Sequence, residues 1–162
     1  MLEYASAIGQ DSHRFTDDAS VPLVLGGYTM PEGPGFSANS DGDVVLHALT
    51  NAISGITMIN ILGDVADRLC LEQGVRDSRV YLQYALRDLA DRGWIMTRVS
   101  FTIEAKRPRL LPHIPKIRES IADLLGISDI GITATSGEGL SDFGRGEGMM
   151  VFCVINVKRN ED

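Results

Sequence analysis

A chain of 162 residues, 44% of them hydrophobic and 23% charged, has the balance of one globular domain able to bury roughly 70% of the surface its unfolded form exposes. That composition excludes disordered and collagen-like classes. The net charge of −7 argues against nucleic-acid binding, so a phosphate ligand would have to be met by a few local donors or through a metal. Cys70 and Cys153 are the two cysteines and are far apart, which points to reduced packing residues in a cytosol rather than a disulfide framework. With no apolar run near the roughly 18 residues that span a bilayer, and no secretory pattern in Met1–Gln10, a soluble cytoplasmic protein without membrane partners is expected.

In chain order, Tyr4–Gln10 reads as a strand that ends in Asp11–His13, and Pro22–Met30 as a second apolar run around Gly26-Gly27. Pro31–Ser37 is loop. From Asp41 to about Leu62 the apolar residues Val45, Leu49, Ala52, Ile53, Ile56 and Ile59 recur at helical spacing, with Ser40 as the expected N-cap and Asp43 reaching back as in a capping box. Asp64–Arg76 reads as irregular. A helix starts at Asp77-Ser78-Arg79 and runs to a Gly93 stop, followed by a strand over Trp94–Glu104 whose Arg98, Ser100, Thr102 and Glu104 mark a polar face. Pro112 and Pro115 bracket the start of a further helix that Gly126 ends; Ile130–Ala134 is a strand, Gly137–Gly148 a glycine-rich loop and Met149–Val157 the last strand. The predicted fold is α+β, a two-layer sandwich of a mixed, four-stranded type of sheet with helices on one face.

Chemistry concentrates at three places. Asp11 and His13 alternate to the same side of a strand, and His47 sits one turn beyond Asp43, whose carboxylate could orient the imidazole. Two imidazoles, a carboxylate and an open position make a catalytic zinc arrangement, although the same residues also suit a packed or surface role. The stretch Thr133–Gly148 offers Glu138 to a hard cation among small residues, or is simply a turn between strands. Lys106-Arg107-Pro108-Arg109 is a short basic loop that could meet phosphate, and His113 packs beside its prolines.

Taken together, Asp11-Ser12-His13-Arg14, the Ser40–Thr50 block, Gly63-Asp64, Asp77-Ser78-Arg79, Pro108–His113, Glu138-Gly139-Leu140 and Gly144–Gly148 resemble the 2-C-methyl-D-erythritol 2,4-cyclodiphosphate synthase family, in family order over nearly the whole chain. The resemblance implies a homotrimer around packed sheets with active sites at subunit interfaces. It implies a zinc-type cation on Asp11, His13 and His47, and Mg²⁺ or Mn²⁺ on Glu138 and the substrate diphosphate. The implied substrate is 4-diphosphocytidyl-2-C-methyl-D-erythritol 2-phosphate, which cyclises with release of CMP. Catalytic roles map onto Asp43, Glu138 and Ser136, and phosphate contacts onto Asn39 and Ser40. The ribose contact maps onto Asp64. The cytosine pocket maps onto Ala105–Leu111, including Arg109 and Leu110, with Ala134, Thr135 and Ser136, and Arg145 lies where an isoprenoid diphosphate can be met. The chain departs from the family at Asn39, commonly histidine, at Gly137, Gly139, Gln10 and Asp142, and in a shorter loop after Asp64. Those departures leave a non-catalytic relative that binds metal and cytidine nucleotide as the alternative.

Overall fold

The computed structural model describes residues 1–160. Strand β1 (Leu2–Arg14) pairs antiparallel along its length with β6 (Gly148–Asn160), β6 pairs antiparallel with β4 (Ile95–Glu104), and β4 pairs parallel with β5 (Ile130–Thr135). The sheet is therefore mixed and four-stranded, in the order β1-β6-β4-β5. Its one parallel pair needs a crossover, which α4 (Ile114–Leu125) supplies after a short 3-10 turn at Leu111–His113.

The strands alternate as their side-chain period requires. Val99, Phe101 and Ile103 of β4, Val151, Cys153 and Ile155 of β6, and Ile130 and Ile132 of β5 are buried under the helices. Helix α1 (Val44–Thr57) lies on β1 and β6, with α3 (Ser78–Asp91) packed against it. Gly9 sets how close α1 comes, because a Cβ there would overlap the Ala48 carbonyl and the Ala52 backbone. Asn51 Nδ2 fastens the same contact by donating to the Gln10 carbonyl at 3.0 Å. The opposite face of β1 and β6 has no cover among the described residues: Ile8, opposite Val154, is 64% exposed, and Tyr4 and Phe152 are exposed beside them.

Three expected elements differ. Ser40 does not cap α1; its Oγ accepts from the Gly42 N–H at 3.1 Å, and Asp43 is the N-cap, so the helix begins at Val44. It also ends at Thr57, where Met58 turns left-handed, rather than at Leu62. Asp64–Gln73 is a helix, α2, with Asp64 and Asp67 in its first turn and a left-handed Gly74 as its stop. Only Ala66 and Leu69 of it are buried, too few apolar positions to show a period. Pro22–Met30 stands apart from the main sheet as a hairpin, β2 (Val24–Leu25) and β3 (Tyr28–Thr29), turning through Gly26 and Gly27 at positive φ.

Candidate metal centre

Asp11 and His13 leave β1 on its helix-covered side, and α1 brings His47 down onto them. His47 Nδ1 lies 3.0 Å from Asp11 Oδ2 and 3.1 Å from His13 Nε2, and His13 Nε2 lies 3.2 Å from Asp11 Oδ2. These three atoms close a nearly equilateral triangle. Tetrahedral ligands about 2.0–2.1 Å from a zinc ion stand about 3.3 Å apart, so the donor set fits such a cation.

The electrostatics agree with that fit. Burial holds the His13 imidazole below its usual 6.5, and Asp11 only partly offsets this, so the ring is neutral and able to act as a ligand at neutral pH. His13 is also braced by the Phe36 ring at 5.6 Å between centroids. The far nitrogen of His47, Nε2, meets Ser78 Oγ at 2.8 Å.

Asp43 does not orient His47. Its carboxylate is fully buried and accepts three backbone N–H groups: Gly26 at 2.9 Å, Gly27 at 2.7 Å and Leu46 at 3.0 Å. The expected i to i+4 contact holds only when both residues are helical. As the cap, Asp43 has non-helical dihedrals, φ −60° and ψ 89°, and its side chain turns over the helix end toward the hairpin. Ser78 instead meets the His47 ring at Nε2, while Asp11 faces its Nδ1.

A cavity of about 430 Å³ opens beside the triangle, lined by Asp11, His13 and His47 together with Asn39, Ser40, Gly63 and Cys70. Asp64 is exposed next to Gly63 at its rim. A second cavity, of about 220 Å³, is lined by Ala105, Arg109, Leu110, Leu111, Ala134, Thr135 and Ser136, so the structure gathers the residues mapped onto the cytosine pocket except Arg107.

Glu138 stands outside the Asp11, His13 and His47 group. It occupies an exposed 3-10 turn, Gly137–Gly139, at φ 49°, with its N–H donating to Ser136 Oγ at 3.4 Å. The Glu104 carboxylate fills the space where a side chain on Gly137 would stand, and Ser141 Oγ donates to it. The neighbouring Arg145 pairs with Asp142 at 2.5 Å and donates to the Gly139 carbonyl at 3.3 Å. One chain thus carries a cation-type triangle in one place and a base-sized cavity with a free carboxylate in another.

Sequence reasoning missed Ser78 and Asp41. Both lie in pieces that carry the family resemblance, but nothing in the spacing of Ser78, a helix start, links it to His47, which is 31 residues away.

The YgbB family model matches residues 4–158. The 2-C-methyl-D-erythritol 2,4-cyclodiphosphate synthase of Chlamydia felis is 51% identical over 95% of this chain and 89% of its own. A solved 2C-methyl-D-erythritol-2,4-cyclodiphosphate synthase is 31% identical with a TM-score of 0.79, covering 94% of this chain and 99% of that one. A CDP-bound form is 28% identical with a TM-score of 0.75, at the same coverage of both chains. The match runs from the first strand almost to the end of the last and takes in the triangle, both cavities and the Glu138 turn: the chain belongs to the YgbB family, together with these synthases.

Proposed function

We propose that the protein converts 4-diphosphocytidyl-2-C-methyl-D-erythritol 2-phosphate to 2-C-methyl-D-erythritol 2,4-cyclodiphosphate, acting as a single catalytic domain over 1–162. An oxygen of the 2-phosphate attacks the β-phosphorus of the diphosphate, a P–O–P bond forms, the bond to the α-phosphate oxygen breaks, and CMP leaves. Attacking and leaving groups belong to one molecule, so the main task of the protein is to fold the substrate into an in-line pose. The observation that carries this reading is the Asp11, His13 and His47 triangle in a chain 51% identical to the Chlamydia felis synthase.

A zinc-type cation on the triangle, and Mg²⁺ or Mn²⁺ on Glu138 with the substrate diphosphate, supply Lewis-acid stabilisation of phosphoryl oxygens. Asn39 and Ser40, on the wall of the larger cavity, donate to the substrate phosphates. Asp64 accepts the ribose diol. The cavity between Ala105–Leu111 and Ala134–Ser136 receives cytosine through main-chain groups, in keeping with the CDP bound by a solved relative. Ser136, whose Oγ accepts from the Glu138 N–H, holds the turn that carries Glu138 beside the leaving group.

The working unit is a homotrimer. The apolar, uncovered face of β1 and β6 supports it, as does the separation of the triangle from the Glu138 turn, which neighbouring subunits would bring together. Arg145, beside Asp142, meets an anionic ligand near the trimer axis. The free thiols Cys70 and Cys153 suit a reducing cytoplasm, and no described helix is long and apolar enough to cross a membrane. Incubation with the cytidyl substrate and Mg²⁺ is expected to give CMP and cyclic diphosphate in equal amounts. CMP release no greater than that of a His47→Ala control would reject the reading.

A further inference from the structure

Two residues outside the metal-binding group determine which nitrogen His47 presents. Ser78 Oγ lies 2.8 Å from His47 Nε2 and is also hydrogen-bonded to Asp41 Oδ1. A carboxylate has no proton to give, so the single hydroxyl proton of Ser78 goes to Asp41. The serine oxygen then offers the imidazole only lone pairs, and Nε2 must carry the ring proton. Nδ1 is then left bare toward Asp11 Oδ2 and His13 Nε2; the Asp11 carboxylate, itself only an acceptor, draws the ring proton toward Nδ1, and the Ser78–Asp41 pair opposes that draw so that a cation, not a proton, sits between Nδ1 and Oδ2.

Asp41 is fixed for this task. Its Oδ2 accepts from the Ser78 N–H at 3.0 Å, its Oδ1 accepts from the Asp43 N–H at 3.1 Å, and its own N–H donates to the Arg76 carbonyl at 2.8 Å. Ser78 is fully buried and His47 is only 8% exposed, so solvent has little access to substitute for the serine. The chain Asp41–Ser78–His47 joins the segment before α1, the first turn of α3 and the first turn of α1.

We propose that Ser78 and Asp41 are positioning residues that hold His47 as its Nε2–H tautomer, leaving Nδ1 as the cation ligand. This rests on the cation-site reading above and adds to it the device that sets the ligand atom. A merely structural Ser78, acting as the first residue of α3, would leave the tautomer indifferent to its hydroxyl.

The test uses the full chain, labelled with ¹⁵N at histidine and stripped of metal, at about pH 8, where an ordinary imidazole is neutral. The wild type should show His47 protonated at Nε2, and Ser78→Ala should shift it toward Nδ1–H, where the Asp11 carboxylate accepts. Asp41→Asn should move the population toward Nδ1–H, because its amide can donate to the serine oxygen and turn the hydroxyl proton toward the ring. Zn²⁺ affinity, read by competition with a chromogenic chelator, should fall by roughly 10–100-fold in both variants. His47 protonated at Nδ1 in the wild type, or an unchanged tautomer and affinity in both variants, overturns the proposal. A wild type that binds no Zn²⁺ rejects the cation-site reading instead, and its metal-free tautomer still decides the roles of Ser78 and Asp41. Should Ser78→Ala not fold, the wild-type tautomer and Asp41→Asn carry the same decision.

Discussion

The Asp11, His13 and His47 triangle sits where the end of β1 packs under the first turn of α1, whereas the smaller cavity and Glu138 are built from a loop, the end of β5 and an exposed turn. At the triangle, β1 and α1 are locked together at Gly9, and every ligand atom is faced by another. Around the cavity, Ala134, Thr135, Ser136 and Glu138 are all exposed, and Glu138 joins no group of three or more possible ligands among the described residues. The contrast teaches that one region is organised before any ligand arrives while the other is left open, as the proposed site between subunits requires.

If that contrast is right, the two regions should fail differently. His47→Ala is expected to lose both cation binding and CMP release by more than the roughly 100-fold that loss of a supporting partner costs. Metal content and a turnover assay check this, and near-normal metal content would break the comparison. Glu138→Gln should lower turnover by about 100-fold while leaving the cation on the triangle in place, measured as bound metal per chain against kcat. Loss of that bound metal in Glu138→Gln would mean that the two regions are not separate.

Asp43→Ala should act on stability instead, costing about 3–5 kcal/mol in chemical denaturation, because a helix cap is lost and the buried N–H groups of Gly26 and Gly27 are left without an acceptor. A change below about 1 kcal/mol would contradict the role given to Asp43 here. The smallest effect concerns pH. Burial raises the Asp43 carboxyl from its usual 3.8 to about 6, against the pull of its three N–H donors. Between those values the folded chain keeps a proton that the unfolded chain has lost. The Asp43 contribution is therefore full below about pH 4 and is lost as pH rises through about 6. Relative to Asp43→Asn, metal-free wild type should lose stability with rising pH across that window, and parallel curves would contradict it.

How much of this was legible in the sequence depended on whether a feature was local. Alternation in Trp94–Glu104 and the glycine stops after α3 and α4 marked their elements, because period and punctuation are carried by neighbouring residues. Helix α2 was not legible, since two buried residues make no periodic stripe. At the site, Asp11, His13 and His47 were found, and so was the full lining of the smaller cavity, through the resemblance to a family. Spacing points to Asp43 as the support of His47, whereas the structure puts Ser78 against the ring. Sequence spacing is blind to a contact that depends on how α3 packs against α1.

The most direct test of a site shared between subunits is to co-assemble His47→Ala chains, which lack the triangle, with Glu138→Gln chains, which lack the other half. Random 1:1 trimers would recover one intact interface in four, so cyclisation should return to about a quarter of the wild-type rate per site. Activity that stays at the level of the two variants assayed separately would contradict a site shared between subunits.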